Sequence, residues 1–320
     1  MLIDEALRRG RARLACAHAE NPALDAGLLL SHVLGVSREK LYAGIPAGGQ
    51  SREGAPGELS PEDFSRFFTC VERRACGECT AYITGRREFY GLDFCVNPAV
   101  LVPRPDTETL VEAALEEISR RAPGAGISRH SLLDLCTGSG AVAVAVKHEN
   151  PELEVWAADI SEEALKTARL NAERLLPKTG NGGRAVGAAG TAVRPEIRFC
   201  RGDLFDALDT ADTTPPVFSV ICANAPYVPS GDIGGLPKEV QNEPKIALDG
   251  GEDGLEIIRR IIEKAPGYLD GVLLLEADPS QMDDIAFMLK ERGFSGIYTR
   301  KDLSGGGRVI AGRFSPGRSP

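Results

Sequence analysis

Asn224, Ala225, Pro226 and Tyr227 form the stretch of this 320-residue chain whose residue types and spacing point most directly to chemistry. The apolar, β-branched run from Val217 to Cys222 leads into it and reads as a buried strand that breaks at the Asn-Ala-Pro turn. At a sheet edge such a turn presents an amide side chain, a backbone carbonyl and an aromatic ring. A planar NH2 group fits that trio. Two carbonyl oxygens can each accept one of its hydrogens, and the ring can cover its face. The tetrapeptide is informative only beside a cofactor site, so the rest of the chain must supply one.

Residues 131 to 140 do so. The apolar strand Ser131 to Leu135 carries Asp134 and runs into the tight turn Cys136-Thr137-Gly138-Ser139-Gly140. Glycines there let a ligand approach the backbone and let the following helix, Ala141 to Lys147, start close beneath it. The next strand, Glu154 to Asp159, ends on a carboxylate suited to the two hydroxyls of a ribose. The third glycine of a dinucleotide fingerprint is missing at its expected offset. A strand ending in Asp-x-x-x-Gly-x-Gly points instead to S-adenosylmethionine (AdoMet), whose cationic methionine end needs no pyrophosphate cradle. An ordinary strand–turn–helix with an incidental surface Asp accounts for either feature alone, less well for both in series. A third strand, Glu196 to Phe205, brings Asp203 for the adenine amino group and Leu204 as an apolar wall. Alone, that segment reads nearly as well as a helix cap; its place third in a series of strand ends favours the ligand. Asn224 is expected to border both cofactor and substrate.

The elements that position these side chains follow from periodicity and breakers. Residues 1 to about 84 read as helical, with Leu2, Ala6 and Leu7 opening one apolar face and Ala26, Leu29, Leu30 and Val33 marking a second helix that ends near Gly35. A polar, Gly/Pro-rich stretch from Ile45 to Pro61 precedes a third helix, Pro61 to Arg74. From Tyr82 to Val102, aromatic and β-branched residues around a Tyr90-Gly91-Leu92-Asp93 turn predict a β-hairpin. Beyond about 105, strands alternate with helices, which implies right-handed crossovers and ligand sites at the strands' carboxyl ends. Further strands are expected at Gly271 to Glu276, Gly296 to Arg300 and Arg308 to Ala311. Lys178 to Arg194 and Asp209 to Pro216 lack periodicity and read as surface insertions.

Composition is that of a soluble globular protein, at 42% hydrophobic and 26% charged residues, and the length admits two domains. A net charge of −9 argues against sequence-independent binding to nucleic acid, which leaves a basic footprint. No long apolar span is present, so no membrane partner is expected and the cytoplasm is the expected location. Eight scattered cysteines include one pair in Cys-x-x-Cys spacing, Cys76 and Cys79, with no second pair to complete a zinc site. No metal is expected.

Taken together, these residues resemble the PrmC/HemK methyltransferases. The likeness covers most of the chain: Ile83-Thr84-Gly85, Arg87-Glu88-Phe89, Pro103-Arg104-Pro105-Asp106-Thr107-Glu108, Asp134 to Gly140, Asp159, Asn224 to Tyr227, Glu243-Pro244, Ala247-Leu248 and Gly250-Gly251. Thr84 to Val111 is its most specific part. The resemblance implies a class I AdoMet-dependent methyltransferase fold, α/β and doubly wound on a mostly parallel seven-stranded sheet, with a small N-terminal helical domain. The implied boundaries are a substrate-recognition domain at 1–84, a β-hairpin linker at 85–104 and the AdoMet-dependent domain at 105–320. It also implies transfer of a methyl group to the side-chain amide nitrogen of the glutamine in the Gly-Gly-Gln motif of a peptide chain release factor. Asn224, Ala225, Pro226 and Tyr227 would be catalytic, and the enzyme a monomer. The chain has its own Gly48-Gly49-Gln50, which among 36 glycines reads as coincidence.

Four departures stand out. Ala225 and Cys79 occupy positions where the family has proline, Asp278 stands at a family glycine, and Gly305-Gly306-Gly307 replaces a more varied polar segment. Two rival readings use the same residues: a methyltransferase acting on an exocyclic amine of adenine or guanine in nucleic acid, and a noncatalytic AdoMet- or release-factor-binding module.

Overall fold

The computed structural model describes residues 1–42, 57–120, 131–177, 196–209 and 216–317. The Gly48-Gly49-Gln50 tripeptide, residues 178–194 and residues 210–215 lie outside that set. The described chain divides into two compact units, Met1–Arg86 with Leu236–Asn242, and Arg87–Gly235 with Glu243–Pro320.

In the first unit, α1 (Ile3–Cys16), α2 (Pro22–Leu34), α3 (Arg38–Tyr42), α4 (Pro61–Ala75) and α5 (Thr80–Thr84) bury a shared apolar core of Leu14, Leu29, Leu30, Phe67 and Val71 among others. Local chemistry fixes the ends. Ser60 Oγ accepts the Asp63 N–H at 3.0 Å to start α4, with Pro61 just inside, and Gly35 closes α2 in the left-handed region (φ 65). Residues 236–242 join this unit: Glu239 pairs with Arg74 at 2.8 Å, and Asn242 Nδ2 donates to the Gly77 carbonyl at 2.9 Å. Tyr82 and Ile83 are helical rather than part of a strand. Cys79 Sγ caps α5 by accepting the Tyr82 N–H at 3.4 Å, and Gly85 stops it in the left-handed region. These two local signals outweigh the β-preference of the aromatic and branched side chains.

The second unit opens with a two-stranded ribbon, β1 (Arg86–Phe89) and β2 (Leu92–Cys95), which turns at Tyr90-Gly91. It continues through α6 (Glu108–Arg120), β3 (Ser131–Leu135), α7 (Ala141–Glu149), β4 (Glu154–Asp159), α8 (Glu162–Leu175), β5 (Arg198–Arg201) and β6 (Phe218–Ala223). After the four-residue α9 (Lys238–Gln241) of the first unit come α10 (Glu256–Lys264), β7 (Leu269–Glu276), α11 (Met282–Glu291), β8 (Ser295–Lys301) and β9 (Gly307–Phe314). Seven strands form one sheet in the order β5-β4-β3-β6-β7-β9-β8. The first five run parallel, and β9 enters antiparallel between β7 and β8, so the fold is the expected class I doubly wound sheet.

Period-two alternation gives the sheet two apolar faces. Leu132, Val220, Cys222, Val272 and Leu274 pack with α6 and α7, whereas Leu133, Leu135, Ile221, Leu273 and Leu275 pack with α10 and α11. The register then aligns the strand ends, because Leu135 pairs with both Ala158 and Ala223, and Ala223 with Leu275. Cys136, Asp159, Asn224 and Glu276 therefore sit side by side along one carboxyl edge. The chain reverses direction across the sheet between β3 and β6, the switch point where open α/β sheets hold ligands. No helix among the described residues is long and apolar enough to cross a membrane.

Candidate active site

A cleft over this edge is lined by residues from the ends of β3, β4, β6 and the segment after β5, and by Arg104 and Thr107. Of the predicted site residues all line it except Gly140, Ala225 and Tyr227.

The floor is the turn after β3. Cys136, Gly138 and Gly140 all have positive φ (58, 56 and 80), so the backbone coils tightly before α7. Gly140 is dictated twice: its φ favours glycine, and a Cβ there would lie 3.0 Å from the Ala168 Cβ and 3.2 Å from its Cα. Asp159 ties the turn to β4, its Oδ2 accepting the Gly138 N–H and its Oδ1 the Ser161 N–H, both at 2.9 Å. Burial raises its pKa, against the opposing pull of these backbone N–H groups. Each carboxylate oxygen keeps acceptor capacity toward the cleft.

Asp134 plays a different part. It is 2% exposed and accepts the Thr137 hydroxyl at 2.6 Å and the Ala143 N–H at 3.3 Å on Oδ2, so it braces the turn from beneath. Burial pushes its pKa up to about 7. Between the ordinary value of 3.8 and about 7 the folded state holds a proton that the unfolded chain has released. This group's contribution to stability therefore falls as pH rises through that window, by up to about 1.4 kcal/mol per pH unit. Asp134→Asn, neutral throughout, is expected to escape that fall. Thermal unfolding of ligand-free wild type and variant should show the difference widening in the variant's favour from pH 4 to 7 and levelling above. Parallel curves would refute the assignment.

Asp203 lies beyond the end of β5, which stops at Arg201, rather than within a longer strand. Gly202 makes the bend: a Cβ there would collide with the Ala207 backbone. Asp203 Oδ2 accepts from Arg260 Nη2 at 2.6 Å, and both residues line the cleft, an arrangement with no local sequence signal. Leu204 is buried, with φ 53, and forms part of the apolar wall.

Asn224, directly after β6, donates from Nδ2 to Thr107 Oγ1 at 3.1 Å. Its Oδ1 is thus the acceptor the side chain offers to the cleft. Ala225 is buried, and Pro226 supplies an apolar surface. The Tyr227 ring is half-buried and packs against the core beside Glu276; burial pushes its pKa up to about 12. The backbone of the motif is clamped by the 248–254 loop. Val228 N–H donates to the Leu248 carbonyl at 3.0 Å, and Gln281 Nε2 donates to the Tyr227 carbonyl at 3.0 Å. Gly254 (φ 75) passes so close that a Cβ would collide with that same carbonyl.

The sequence departures have local uses. Asp278 caps the turn before α11 by accepting the Ser280 N–H at 2.9 Å. The Gly305–Gly307 run folds over Asp302, whose Oδ1 accepts the Ser304 and Gly306 N–H groups at 2.9 and 3.1 Å. Among the described residues, no group of three or more His, Cys, Asp and Glu side chains is placed to hold a metal ion.

A glycine turn at the switch point, a carboxylate at the end of the neighbouring strand and an apolar wall fit AdoMet, and the sheet order is that of class I methyltransferases. Residues 5–85 match the family model described as the PrmC N-terminal domain, and residues 113–183 match the methyltransferase small domain. The release factor glutamine methyltransferase of Geobacter sulfurreducens is 37% identical, over 97% of this chain and 96% of that protein. Those of Burkholderia pseudomallei (37%; 91% and 92%) and Neisseria gonorrhoeae (39%; 92% and 94%) are comparably similar. The hMettl16 catalytic domain, solved with the MAT2A 3'UTR hairpin 1, shares the fold alone, at 12% identity over 83% of this chain and 87% of that one with a TM-score of 0.52. The chain belongs to the release factor glutamine methyltransferase family.

Proposed function

We propose that this chain transfers the methyl group of AdoMet to the side-chain amide nitrogen of the glutamine in the Gly-Gly-Gln motif of a peptide chain release factor. Asp159 would take the ribose hydroxyls, Leu204 and Asp203 the adenine, and the 136–140 turn the methionine end. Bound AdoMet supplies an electrophilic methyl on sulfur. An amide nitrogen is a weak nucleophile because its lone pair is delocalised into the carbonyl. Asn224 Oδ1 and the Ala225 carbonyl would each accept one N–H of the substrate amide and so aim its nitrogen at the methyl. Pro226 and the Tyr227 ring would give the substrate amide an apolar surface to pack against. As the N–C bond forms the S–C bond breaks, and the surplus proton on nitrogen leaves to water. Positioning of this kind contributes on the order of 7–11 kcal/mol, enough to dispense with a dedicated base.

The observation that carries this reading is the Asn224 side chain, which lines a cleft it shares with Asp159 and is tied by Nδ2 to Thr107, leaving Oδ1 as the acceptor it can offer. The helical segment 1–84 is read as the recognition element for the release factor and 85–104 as its link to the AdoMet-dependent domain, 105–320. A cytoplasmic, monomeric enzyme without a standing nucleic-acid or membrane partner follows from the same reading. Purified protein, methyl-labelled AdoMet and a release factor, mixed with an equal mass of RNA and DNA, test it. Label in the protein fraction supports it; label in nucleic acid would replace it with exocyclic-amine methylation.

A further inference from the structure

Asn224 carries an oxygen and a nitrogen of nearly equal size on one planar group, so only its hydrogen-bond partners decide which of them faces the cleft. The structure supplies such a partner. Thr107 sits in the turn ahead of α6, buried, with Oγ1 3.1 Å from Asn224 Nδ2. Its hydroxyl has a single proton, and the buried carboxylate of Glu276 beside it is placed to accept that proton. Glu276 ends β7, one strand over from the Asn224 strand, and is 1% exposed; its Oε2 is buried without a hydrogen-bond partner.

We propose that Glu276 and Thr107 are positioning residues that fix the orientation of the Asn224 amide, holding Nδ2 inward and Oδ1 toward the substrate. This rests on Asn224 being the acceptor of the substrate NH2. With the Thr107 proton committed to Glu276, only a lone pair faces Asn224, and a lone pair accepts Nδ2–H but repels Oδ1. Were the hydroxyl free to turn, it would donate to Oδ1, rotate the amide, and present N–H groups to a substrate that itself offers N–H groups. The charges around Glu276 come from three sides: Arg308 on β9, Arg104 and Asp106 ahead of α6, and the Tyr227 hydroxyl. Arg308 is itself held by Asp302 and Asp106, both at 3.2 Å. Burial outweighs these neighbours and pushes the Glu276 pKa up to about 7. Protonation would remove the acceptor of the Thr107 proton, so turnover should fall as pH drops through about 7.

Thr107→Val removes the hydroxyl while keeping the shape. It is expected to lower kcat about 100-fold, to leave AdoMet affinity and the KM for the release factor unchanged, and to abolish the fall in kcat below neutral pH. Thr107→Ser should restore both kcat and that pH limb. A Thr107→Val enzyme with wild-type kcat, or a serine variant no better than valine, would overturn the proposal. A second readout needs no turnover: the side-chain amide protons of Asn224, identified in 15N-labelled protein by their loss in Asn224→Asp. One of them should exchange slowly with solvent in wild type and fast in Thr107→Val. Equal exchange in the two would also overturn the proposal. Slow exchange in a wild type that fails to methylate any release factor would sink the substrate assignment and support the positioning role.

Discussion

Asn224→Ala is expected to lower kcat for methyl transfer by about 10²–10³-fold, the range seen when one pre-aimed hydrogen-bonding group is removed from a reacting centre. The physical reason is the loss of one of the two acceptors proposed to hold the substrate NH2. The Ala225 carbonyl alone leaves the nitrogen free to rotate about a single hydrogen bond, and near-attack geometry becomes rare. The fold should not suffer. Asn224 is only half-buried, lies beyond the end of β6, and its Nδ2 bond to Thr107 is the partner it gives up. Steady-state kinetics separate the cases: the account predicts a fall in kcat with AdoMet binding retained. Equal label transfer by wild type and variant would mean that the acceptor is elsewhere. A noncatalytic binding module would show no transfer in either.

Asp159→Ala should weaken AdoMet binding by about 100-fold or more, since charge-assisted hydrogen bonds contribute roughly 1.5–3 kcal/mol each and about 1.4 kcal/mol is a factor of ten. Two effects combine. The ribose hydroxyls would lose the acceptors proposed for them, and the Gly138 and Ser161 N–H groups lose the carboxylate that ties the glycine turn to β4. Asp159→Asn should fall between, because it keeps one oxygen for one of those N–H groups. Calorimetric titration with AdoMet measures both variants. Affinity within threefold of wild type in the alanine variant would show that the cofactor lies elsewhere in the cleft.

Much of this site was legible because the sheet is written in apolar runs that end on polar groups. Asp134, Asp159 and Asn224 each interrupt or end a strand of buried aliphatic residues, and parallel pairing in register carries those ends to one edge. Glu276 gives the same signal after Leu273-Leu274-Leu275, and the rule used for the other strands would have found it. Thr107 is different. Its partner is 117 residues away, and nothing in Pro103-Arg104-Pro105-Asp106 marks a hydroxyl aimed at the motif. The Asp203–Arg260 pair spans 57 residues and is equally silent. At Tyr82 to Thr84, side-chain preference pointed to a strand, whereas Cys79 and Gly85, the end signals of a short helix, decided the outcome. The clamp on the backbone at Tyr227 and Val228 comes from the 248–254 loop and Gln281, which are distant in sequence. The polar strand ends were therefore readable one strand at a time, and what escaped is the set of contacts between strands and loops that holds them.

The most direct test of the account is to locate the methyl group itself. Release factor incubated with the protein and AdoMet would be digested, and the Gly-Gly-Gln peptide sequenced by fragmentation mass spectrometry. The account predicts one added methyl on the glutamine side chain, absent when Asn224→Ala replaces the wild type. A methyl on any other residue, or an unmodified glutamine beside demonstrated AdoMet binding, would contradict it.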